Sequence, residues 1–327
     1  MLTQALDIAM TMSKSIKGKV DEILAIDNIA KIKSLWIPYK GFRNPYLKKL
    51  SIVAIDSGFN YKEYRGYALY ALNVVHVTID NIKGEEINGF VDIDVVSCSN
   101  IENELSLLSV AMEIESMVKV LSLADIILMD GSLIAAFSKL RKASLEDSHD
   151  LLESKGIESS HILKELIYAI SIHPRKIVFI SKNSNAKDVL GFVKGDIYYF
   201  ERYTDGLPGY SKPIQLTYSK HLGMATVTKV FRHVVKNIAG VDISIAVSYV
   251  RFEPFSRIYR LELPIEPGED IDTRIKYILD ILSDLTISGY PYPLMRADQI
   301  ARVGLEDINR ISGILGISYD PYAREPL

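Results

Sequence analysis

Residues 51–58 read SIVAIDSG, and residues 125–132 read DIILMDGS. In both stretches an apolar run ends in an aspartate and small residues, which predicts a buried strand followed by an open turn. Asp56 and Asp130 would then lie at the carboxyl ends of strands, where ligands of open α/β sheets bind. Either aspartate alone could simply cap a turn. The recurrence favours an α/β sheet with an acidic site at one edge.

A long helix is predicted between these strand ends, from about Ile101 to Leu123. Polar residues at offsets of three, four and three share one of its faces, and they are Ser106, Ser109, Glu113 and Ser116. Glu115 lies elsewhere and can form an ordinary i,i+4 pair with Lys119. We therefore expect Glu113 to face the strand ends. The alternative is a packing face of small residues with an incidental glutamate.

The composition indicates one globular, intracellular protein. The 327 residues, the hydrophobic content of 48% and the mean hydropathy of +0.12 fit a sizeable core. No apolar run reaches transmembrane length, and Met1 to Met12 lacks the features of a signal peptide. The single cysteine, Cys98, excludes an intramolecular disulfide framework and a multi-cysteine metal site. We expect one domain spanning residues 1–327, located in the cytoplasm, with no membrane partner.

The net charge of −3 and the pI near 6.1 do not indicate a surface built for nucleic acid. These values do not exclude a metal-dependent nuclease, because bound cations neutralise the acidic site of such an enzyme and contact the phosphate of the substrate. Lys139, Arg141 and Lys142 are candidates for phosphate contacts, although a charge run is more often only a solvated face. Tyr203 and Tyr210 are candidates for stacking on unpaired bases.

Further elements follow from apolar periodicity and turn residues. Residues 1 to about 35 predict an amphipathic helical arm that either contacts a partner or packs on its own domain. Strands at 67–79 and 87–96 continue a meander, with a turn near 81–84. Beyond Asp130 we expect a helix at 133–140, a charged stretch at 139–160 that forms an exposed insertion or a helix-rich excursion, a helix at 162–172 and a strand at 176–180. These are followed by a loop at 200–213, a hairpin at 241–252 and 257–263, and helices at 271–287 and 294–315.

Three further residues attract attention in these elements. Lys182 follows the strand at 176–180, where a lysine can hold a scissile phosphate, although a lone lysine is commonly a surface residue. Gly289 is a candidate glycine at the end of a helix. Asp298 lies on the last helix, where it can bind a metal ion or pair with Arg302 at i,i+4.

The order of a meander strand with Asp56, a helix with Glu113 and a strand with Asp130 is typical of the ribonuclease H-like fold. In that fold these carboxylates converge on divalent metals. Hard Mg²⁺ or Mn²⁺ prefers oxygen ligands. Two such ions about 3.5–4 Å apart can activate water and stabilise the leaving oxygen of a phosphodiester. The sequence has no P-loop, no HExxH and no GxSxG motif.

Several motifs together resemble the NurA family, namely Asp56-Ser-Gly, Glu113 in a helix, Asp130-Gly-Ser, Lys182 in Ile-Ser-Lys-Asn-Ser, and Gly-Tyr-Pro-Tyr-Pro-Leu at 289–294. The resemblance implies a ribonuclease H-like core at about 50–315 and a mixed sheet flanked by helices, with helical and hairpin additions. It implies that Asp56, Glu113 and Asp130 bind metal and that Tyr290 belongs to the site. Each of the three carboxylates is then expected to be essential.

The same resemblance implies an activity and partners. The activity is a Mn²⁺-dependent 5′ to 3′ exonuclease and single-stranded DNA endonuclease, with Mg²⁺ as a possible substitute. The partners are DNA, a second copy in a ring-shaped homodimer, and a HerA-type hexameric ATPase, with which the family works in DNA end resection.

The chain departs from the family at Asp298. The family usually has a histidine shortly after the Tyr-Pro-Tyr-Pro motif, whereas this chain reads Arg-Ala-Asp-Gln at 296–299 and has no histidine beyond His233. Because several ribonuclease H-like enzymes use four carboxylates, we expect Asp298 to be a fourth oxygen ligand. Two alternatives stay open. One is a catalytically weak or inactive scaffold subunit that binds DNA in the same motor complex. The other is a sugar-kinase-like enzyme, against which the missing phosphate-binding loops argue.

Overall fold

The computed structural model describes residues 3–24, 28–41, 49–80, 84–146, 149–216 and 222–317. These residues form a ten-stranded mixed sheet flanked by helices, which confirms the predicted fold class. The strands are β1 (Trp36–Pro38), β2 (Ile52–Glu63), β3 (Ala68–Asp80), β4 (Gly84–Val96), β5 (Ile126–Asp130), β6 (Ile177–Ser181), β7 (Gly209–Ser211), β8 (Ile214–Gln215), β9 (Ser244–Arg251), β10 (Tyr259–Ile265), β11 (Thr286–Ile287) and β12 (Tyr290–Pro291).

The helices lie on both sides of this sheet. They are α1 (Thr3–Leu24), α2 (Ile29–Ser34), α3 (Ile101–Val120), α4 (Leu133–Ala143), α5 (Asp150–Ser154), α6 (Ser159–Ile172), α7 (Asp196–Tyr203), α8 (Leu222–Ala239), α9 (Ile271–Ser283), α10 (Tyr292–Ala301) and α11 (Leu305–Ile314). Over the part of the chain that the structure describes, none of them has both the length and the apolar character needed to cross a membrane.

The strand that carries Asp56 joins the meander to the parallel part of the sheet. β2 pairs antiparallel with β3, which pairs antiparallel with β4. On its other side β2 pairs parallel with β5, and β5 pairs parallel with β6. This is the connectivity expected of a ribonuclease H-like core. Asp130 ends β5, Lys182 follows β6, and Asp56 lies beside them in the interior of β2, where the pairing with β5 stops. The prediction that the strand ends at Asp56 and is followed by an open turn at Ser57-Gly58 is wrong, because β2 continues to Glu63 by pairing with β3.

The rest of the sheet extends from β6 through β10, β9 and β7 to β1, with β8 pairing separately with β9. β9 and β10 form the second predicted hairpin. β11 and β12 form a small separate hairpin that leads directly into α10. The additions therefore include both helices and hairpins, as predicted.

The two faces of the sheet pack against different helices. Val53 and Ile55 of β2 belong to a core cluster with α3, α4 and α6, whereas Ala54 belongs to a cluster with α9 and α10. We call these sides the α3 face and the α10 face. Because successive side chains of a strand point to opposite faces, Asp56 continues the alternation onto the α10 face and Ser57 onto the α3 face.

Three predictions near the carboxyl end of the chain are wrong. The helix expected at 294–315 is two helices, α10 and α11, because the backbone at Arg302 is extended. Helix α9 ends at Ser283, and residues 286–287 pair with 290–291 instead of extending it. Gly289 (φ +77°) lies in the turn of that hairpin, where a Cβ would overlap Ser256. Only glycine satisfies both conditions at that turn.

Two other segments also differ from expectation. The predicted loop at 200–213 holds the end of α7 and all of β7, because Phe200 and Tyr210 are buried apolar residues. The excursion at 139–160 is rich in helix, as predicted, but Leu151 and Leu152 of α5 are buried. The turn expected at 81–84 lies largely outside the described residues. Sequence periodicity gave no prediction for α8.

The N-terminal helical arm is shorter than predicted. Both α1 and α2 are helical, as expected. Ile32 of α2 and Trp36 of β1 are buried in the cluster of the α3 face. The described side chains of α1, in contrast, are almost all exposed, including Leu6 and Met10. Only α1 therefore qualifies as an arm.

Candidate metal centre

Three aspartates converge where β5 ends beside the middle of β2. One carboxylate oxygen from each of Asp56, Asp130 and Asp298 lies within 4.8 Å of the other two. Asp56 shares the α10 face with Ala54 of β2, and Asp130 shares it with Leu128 of β5. Helix α10 packs across these two strands. Asp298 on α10 is thereby brought to the strand ends. In the described ranges, no other acidic, histidine or cysteine side chains come together closely enough to hold a metal ion.

Lys182 supplies a positive charge to this cluster. Its Nζ lies 2.6 Å from Asp130 Oδ2 and 2.7 Å from Asp298 Oδ1. It also lies 5.2 Å from the centre of the Tyr290 ring. Burial opposes the charged ammonium, but the charge of Asp130 and the hydrogen bonds to Asp130 and Asp298 outweigh it and raise the pKa of Lys182. The ammonium is therefore a stable partner of two of the three aspartates.

The aspartates repel one another strongly. Burial, followed by the charges of Asp130 and Glu113, raises the pKa of Asp56 to about 8, although Lys182 acts in the opposite direction. Burial also raises the pKa of Asp130, again against the effect of Lys182. Carboxylates crowded in this way retain protons unless a cation offsets their charge.

Glu113 lies beside this cluster, on the α3 face. The Ser57 hydroxyl donates a hydrogen bond to Glu113 Oε1 and also meets the Ser109 hydroxyl. Burial raises the pKa of Glu113 to about 7, and the charge of Asp130 adds to this, while the bond from Ser57 opposes it. Glu113 is thus within electrostatic reach of Asp56 and Asp130, but it is outside the group of three close carboxylates. The alternation of β2 explains this, because Ser57 faces α3 and Asp56 does not.

Glu115 is a surface residue, as the helical spacing predicts. It forms an i,i+4 pair with Lys119 at 3.7 Å. Ser109 and Ser116 on the other side of α3 are buried. Glu113 thus lies on the side of α3 that faces β2, and its contact there is the Ser57 hydroxyl. The serine directly after Asp56 was a signal for this contact, because it is the next residue in a strand of alternating direction.

Tyr290 closes the site from the side of the β11–β12 hairpin. It is 9% exposed, and its hydroxyl has no hydrogen-bond partner among the described residues. Its ring packs on Tyr259 with 4.8 Å between centroids. Burial and the charges of Asp130 and Asp56 raise its pKa, so the hydroxyl stays protonated. It is therefore an uncommitted donor next to a cluster of acids.

These donors fit a hard divalent cation. All three close groups are carboxylates, which are the ligands that Mg²⁺ and Mn²⁺ prefer. Because the pKa of Asp56 is raised to about 8, a divalent cation bound beside it would favour its ionised form. Asp298 also lies 3.7 Å from Arg302, a side chain that is 76% exposed. The pairing of Asp298 with Arg302 is present, and Asp298 also belongs to the group of three close carboxylates, so its role as a metal ligand stays a prediction.

The other candidate residues are placed differently. Tyr210 is fully buried and donates to Asp272 Oδ1 at 2.5 Å, so the prediction that it stacks on a base is wrong. Tyr203 is partly buried and packs against the core. Lys142 pairs with Glu146 at 3.4 Å on the surface. Lys139 is part-buried and donates to the backbone oxygen of Ser106 at 3.3 Å, on the α3 face.

Comparison with known proteins gives consistent matches. A profile of the NurA domain matches residues 50–303. The DNA double-strand break repair nuclease NurA of Sulfolobus acidocaldarius is 27% identical over 324 residues, covering 93% of this chain and 89% of the relative. A probable DNA double-strand break repair nuclease NurA from Methanocaldococcus jannaschii is 23% identical over 362 residues, covering 96% of this chain and 89% of the relative.

Two crystal structures share the fold. The NurA nuclease from Sulfolobus solfataricus superimposes with a TM-score of 0.74 at 22% identity and 97% coverage of both chains. A NurA bound to dAMP and manganese gives a TM-score of 0.62 at 14% identity, covering 98% of this chain and 99% of the other. The profile match spans well over half of the sequence and includes every strand end that forms the site. The chain therefore belongs to the NurA family.

Proposed function

We propose that this protein is a manganese-dependent deoxyribonuclease that processes DNA ends in the cytoplasm. The observation that carries the proposal is the convergence of Asp56, Asp130 and Asp298 around Lys182 at one edge of the sheet. The relatives named as DNA double-strand break repair nucleases, and the NurA structure with dAMP and manganese, support the choice of substrate and metal. With a divalent cation bound, the same cluster would offer DNA phosphates a positive charge on a chain of net charge −3.

The roles of the residues follow from their positions. Asp56, Asp130 and Asp298 would hold the divalent cation, and Glu113 would support them from the α3 face. When bound, Mn²⁺ or Mg²⁺ supplies charge that activates water and stabilises the leaving oxygen of a phosphodiester. Lys182 is then released from part of its pairing and can neutralise a phosphate oxygen. Tyr290 can donate its free hydroxyl to the substrate.

The direct test is a cleavage assay with single-stranded and end-labelled double-stranded DNA in Mn²⁺, Mg²⁺ or EDTA. We expect cleavage in Mn²⁺, weaker cleavage in Mg²⁺ and none in EDTA. Product lengths from a strand labelled at one end distinguish 5′ to 3′ exonuclease from endonuclease activity, both of which we propose. Binding of DNA without cleavage in any metal would favour the scaffold alternative, which Asp298 in place of the family's histidine keeps open.

We further propose a ring-shaped homodimer that works with a HerA-type hexameric ATPase. The exposed apolar side chains of α1, among them Leu6, Met10 and Ile16, support a contact there with a partner. Light scattering on the full chain at micromolar concentration should give the mass of two copies. Removal of residues 1–24 should weaken binding of the ATPase, whereas α2 must stay because Ile32 is buried. A monomeric mass, or undiminished ATPase binding, would contradict these two statements respectively.

A further inference from the structure

Phe255 lies at the tip of the β9–β10 hairpin with its side chain in solvent. It is 86% exposed, which is unusual for a phenylalanine. Its backbone is in the left-handed region, with φ +60°. A bulky residue in this region is a conformational outlier, and such strain persists only where the surrounding structure enforces it. Contacts with the surrounding structure must therefore hold the backbone of the tip in this conformation, with the ring in solvent.

A buried arginine holds the tip. Arg251 is 2% exposed, and its Nε donates to the backbone oxygen of Ser256 at 2.9 Å. The remainder of its guanidinium donates to Thr204 Oγ1 at 2.6 Å and to the backbone oxygens of Leu207 and Glu201 at 3.1 and 3.3 Å. One side chain thus ties the hairpin tip to the segment that follows α7.

The ring itself rests on a glycine. The Phe255 N–H donates to the backbone oxygen of Gly206 at 2.9 Å. A Cβ at Gly206 would lie 2.3 Å from the Phe255 ring, so one edge of the ring lies directly over that residue. The rest of the ring faces solvent. Phe255 is therefore supported on one edge and open to a planar group elsewhere.

Consecutive contacts connect this tip to the carboxylates. Ser256 lies directly against Gly289, the neighbour of Tyr290 in the β11–β12 turn. Rings in series lead from the hairpin to the site, with centroid separations of 6.0 Å for Phe252–Tyr259 and 4.8 Å for Tyr259–Tyr290. The Tyr290 ring contacts Lys182. Since Arg260 of β10 pairs with Ser181 of β6, the tip lies at the same edge of the sheet as Lys182.

We propose that Phe255 is a stacking platform for an unpaired nucleobase of the DNA strand that enters the site. This inference rests on the proposed nuclease function and adds a binding contact to it. Arg257, two residues along the chain from Phe255, is also exposed. Exposed aromatic rings and arginines together bind single strands, because every base has a π-face and every nucleotide a phosphate. The strained, anchored backbone keeps the ring from folding back onto the protein. Preorganisation of this kind strengthens binding.

The test is a double-mutant cycle between the ring and a base. The full chain carrying Asp56→Asn, with Mn²⁺ present, is titrated against a labelled single-stranded oligonucleotide, read by fluorescence anisotropy. We expect Phe255→Ala to weaken binding about 10-fold, the size of one base–aromatic stacking contact. A scan of single abasic positions should find one that weakens binding similarly, but only while Phe255 is present.

Two substitutions and one control separate stacking from folding. Phe255→Trp should retain binding, because an indole also stacks, whereas Phe255→Gly should lose it although glycine relieves the strained φ. Ile314→Ala, at an equally exposed apolar residue of α11, should bind like the parent. Equal binding by Phe255→Ala, additive abasic effects, or no measurable oligonucleotide binding would each overturn the proposal. So would a change in oligomeric mass on Phe255→Ala without a change in DNA binding.

Failure of the nuclease function would look different. If the wild-type chain does not cleave DNA but the cycle shows coupling at one base, the protein binds strands through Phe255 as a scaffold. If the wild-type chain cleaves DNA and the cycle shows no coupling, the nuclease function stands and the stacking site does not.

Discussion

The two faces of the sheet treat their acidic residues differently at the same edge. On the α10 face, Asp56, Asp130 and Asp298 meet one another and Lys182. On the α3 face, Glu113 is partly buried and meets the hydroxyl group of Ser57. The two groups of carboxylates differ in what offsets the cost of burying their charge. A cation can neutralise the aspartates of the α10 face, whereas the hydroxyl beside Glu113 only partly satisfies its carboxylate. We therefore propose that the carboxylates of the α10 face bind the metal and that Glu113 supports them from the α3 face.

The largest expected effect comes from Asp56→Asn. Asp56 is the most buried member of the cluster, at 8% exposure, and its amide analogue cannot offer an anionic oxygen to a cation. We expect cleavage of single-stranded DNA in Mn²⁺ to be abolished with the fold intact by circular dichroism. Near-wild-type cleavage by this variant would show that the carboxylates of the α10 face do not take part in cleavage.

Glu113→Gln compared with Glu115→Gln tests the supporting face. Glu113 acts on the cluster across β2, and loss of an outer partner of a metal site typically reduces affinity or activity about 10–100-fold. We expect Glu113→Gln to reduce the cleavage rate by at least this factor. Glu115→Gln removes only a surface pair and should stay close to the wild type. The reverse order would mean that the wrong helix face was chosen.

Asp298 distinguishes a metal ligand from a surface ion pair. If Asp298 binds metal, Asp298→Asn should shift the Mn²⁺ dependence of the cleavage rate to higher concentration, by about 10-fold if it behaves as an outer ligand or more if it is a direct one. Asp298→His should keep much of the activity, because it restores the residue that is usual in the family. A pair with Arg302 alone is worth only about 0.3–0.5 kcal/mol. Three superimposable Mn²⁺ titrations would thus assign Asp298 to that pair.

The smallest expected effect is on stability, and its sign follows from the raised pKa values. The pKa of Asp56 is about 8 and that of Glu113 about 7, whereas unfolded carboxyls titrate at about 4. Between about pH 4 and pH 8 the folded, metal-free protein therefore holds more protons than the unfolded chain. Its free energy of unfolding should fall as the pH rises through this window.

Thermal unfolding in EDTA at a series of pH values measures this dependence. Asp56→Asn should flatten the slope and raise the melting temperature at pH 8, because it removes the group that resists ionisation. Mn²⁺ should stabilise the wild type most at pH 8, where protons compete least with the metal. A metal-free protein that becomes more stable from pH 5 to pH 8 would contradict the raised pKa values.

Local pattern determined much of the core. The apolar runs before Asp56 and Asp130 are short-range signals, and both runs form buried strand, with Asp130 at the end of β5 and Asp56 inside the longer β2. The spacing of serines around Glu113 correctly gave the buried face of α3, since helical periodicity is also local. These features depend on residues within a few positions of each other, so the sequence alone contains them.

Tertiary packing decided which of these residues meet. Along a strand, a shift of one residue moves a side chain to the other face of the sheet. Which helices cover each face is decided by the packing of distant segments. Asp298 lies 242 positions from Asp56, and only the packing of α10 against β2 brings it to the strand ends. The break at Arg302, the burial of Tyr210 and the strained tip at Phe255 likewise follow from contacts between distant segments. Periodicity within one segment contains no information about such contacts.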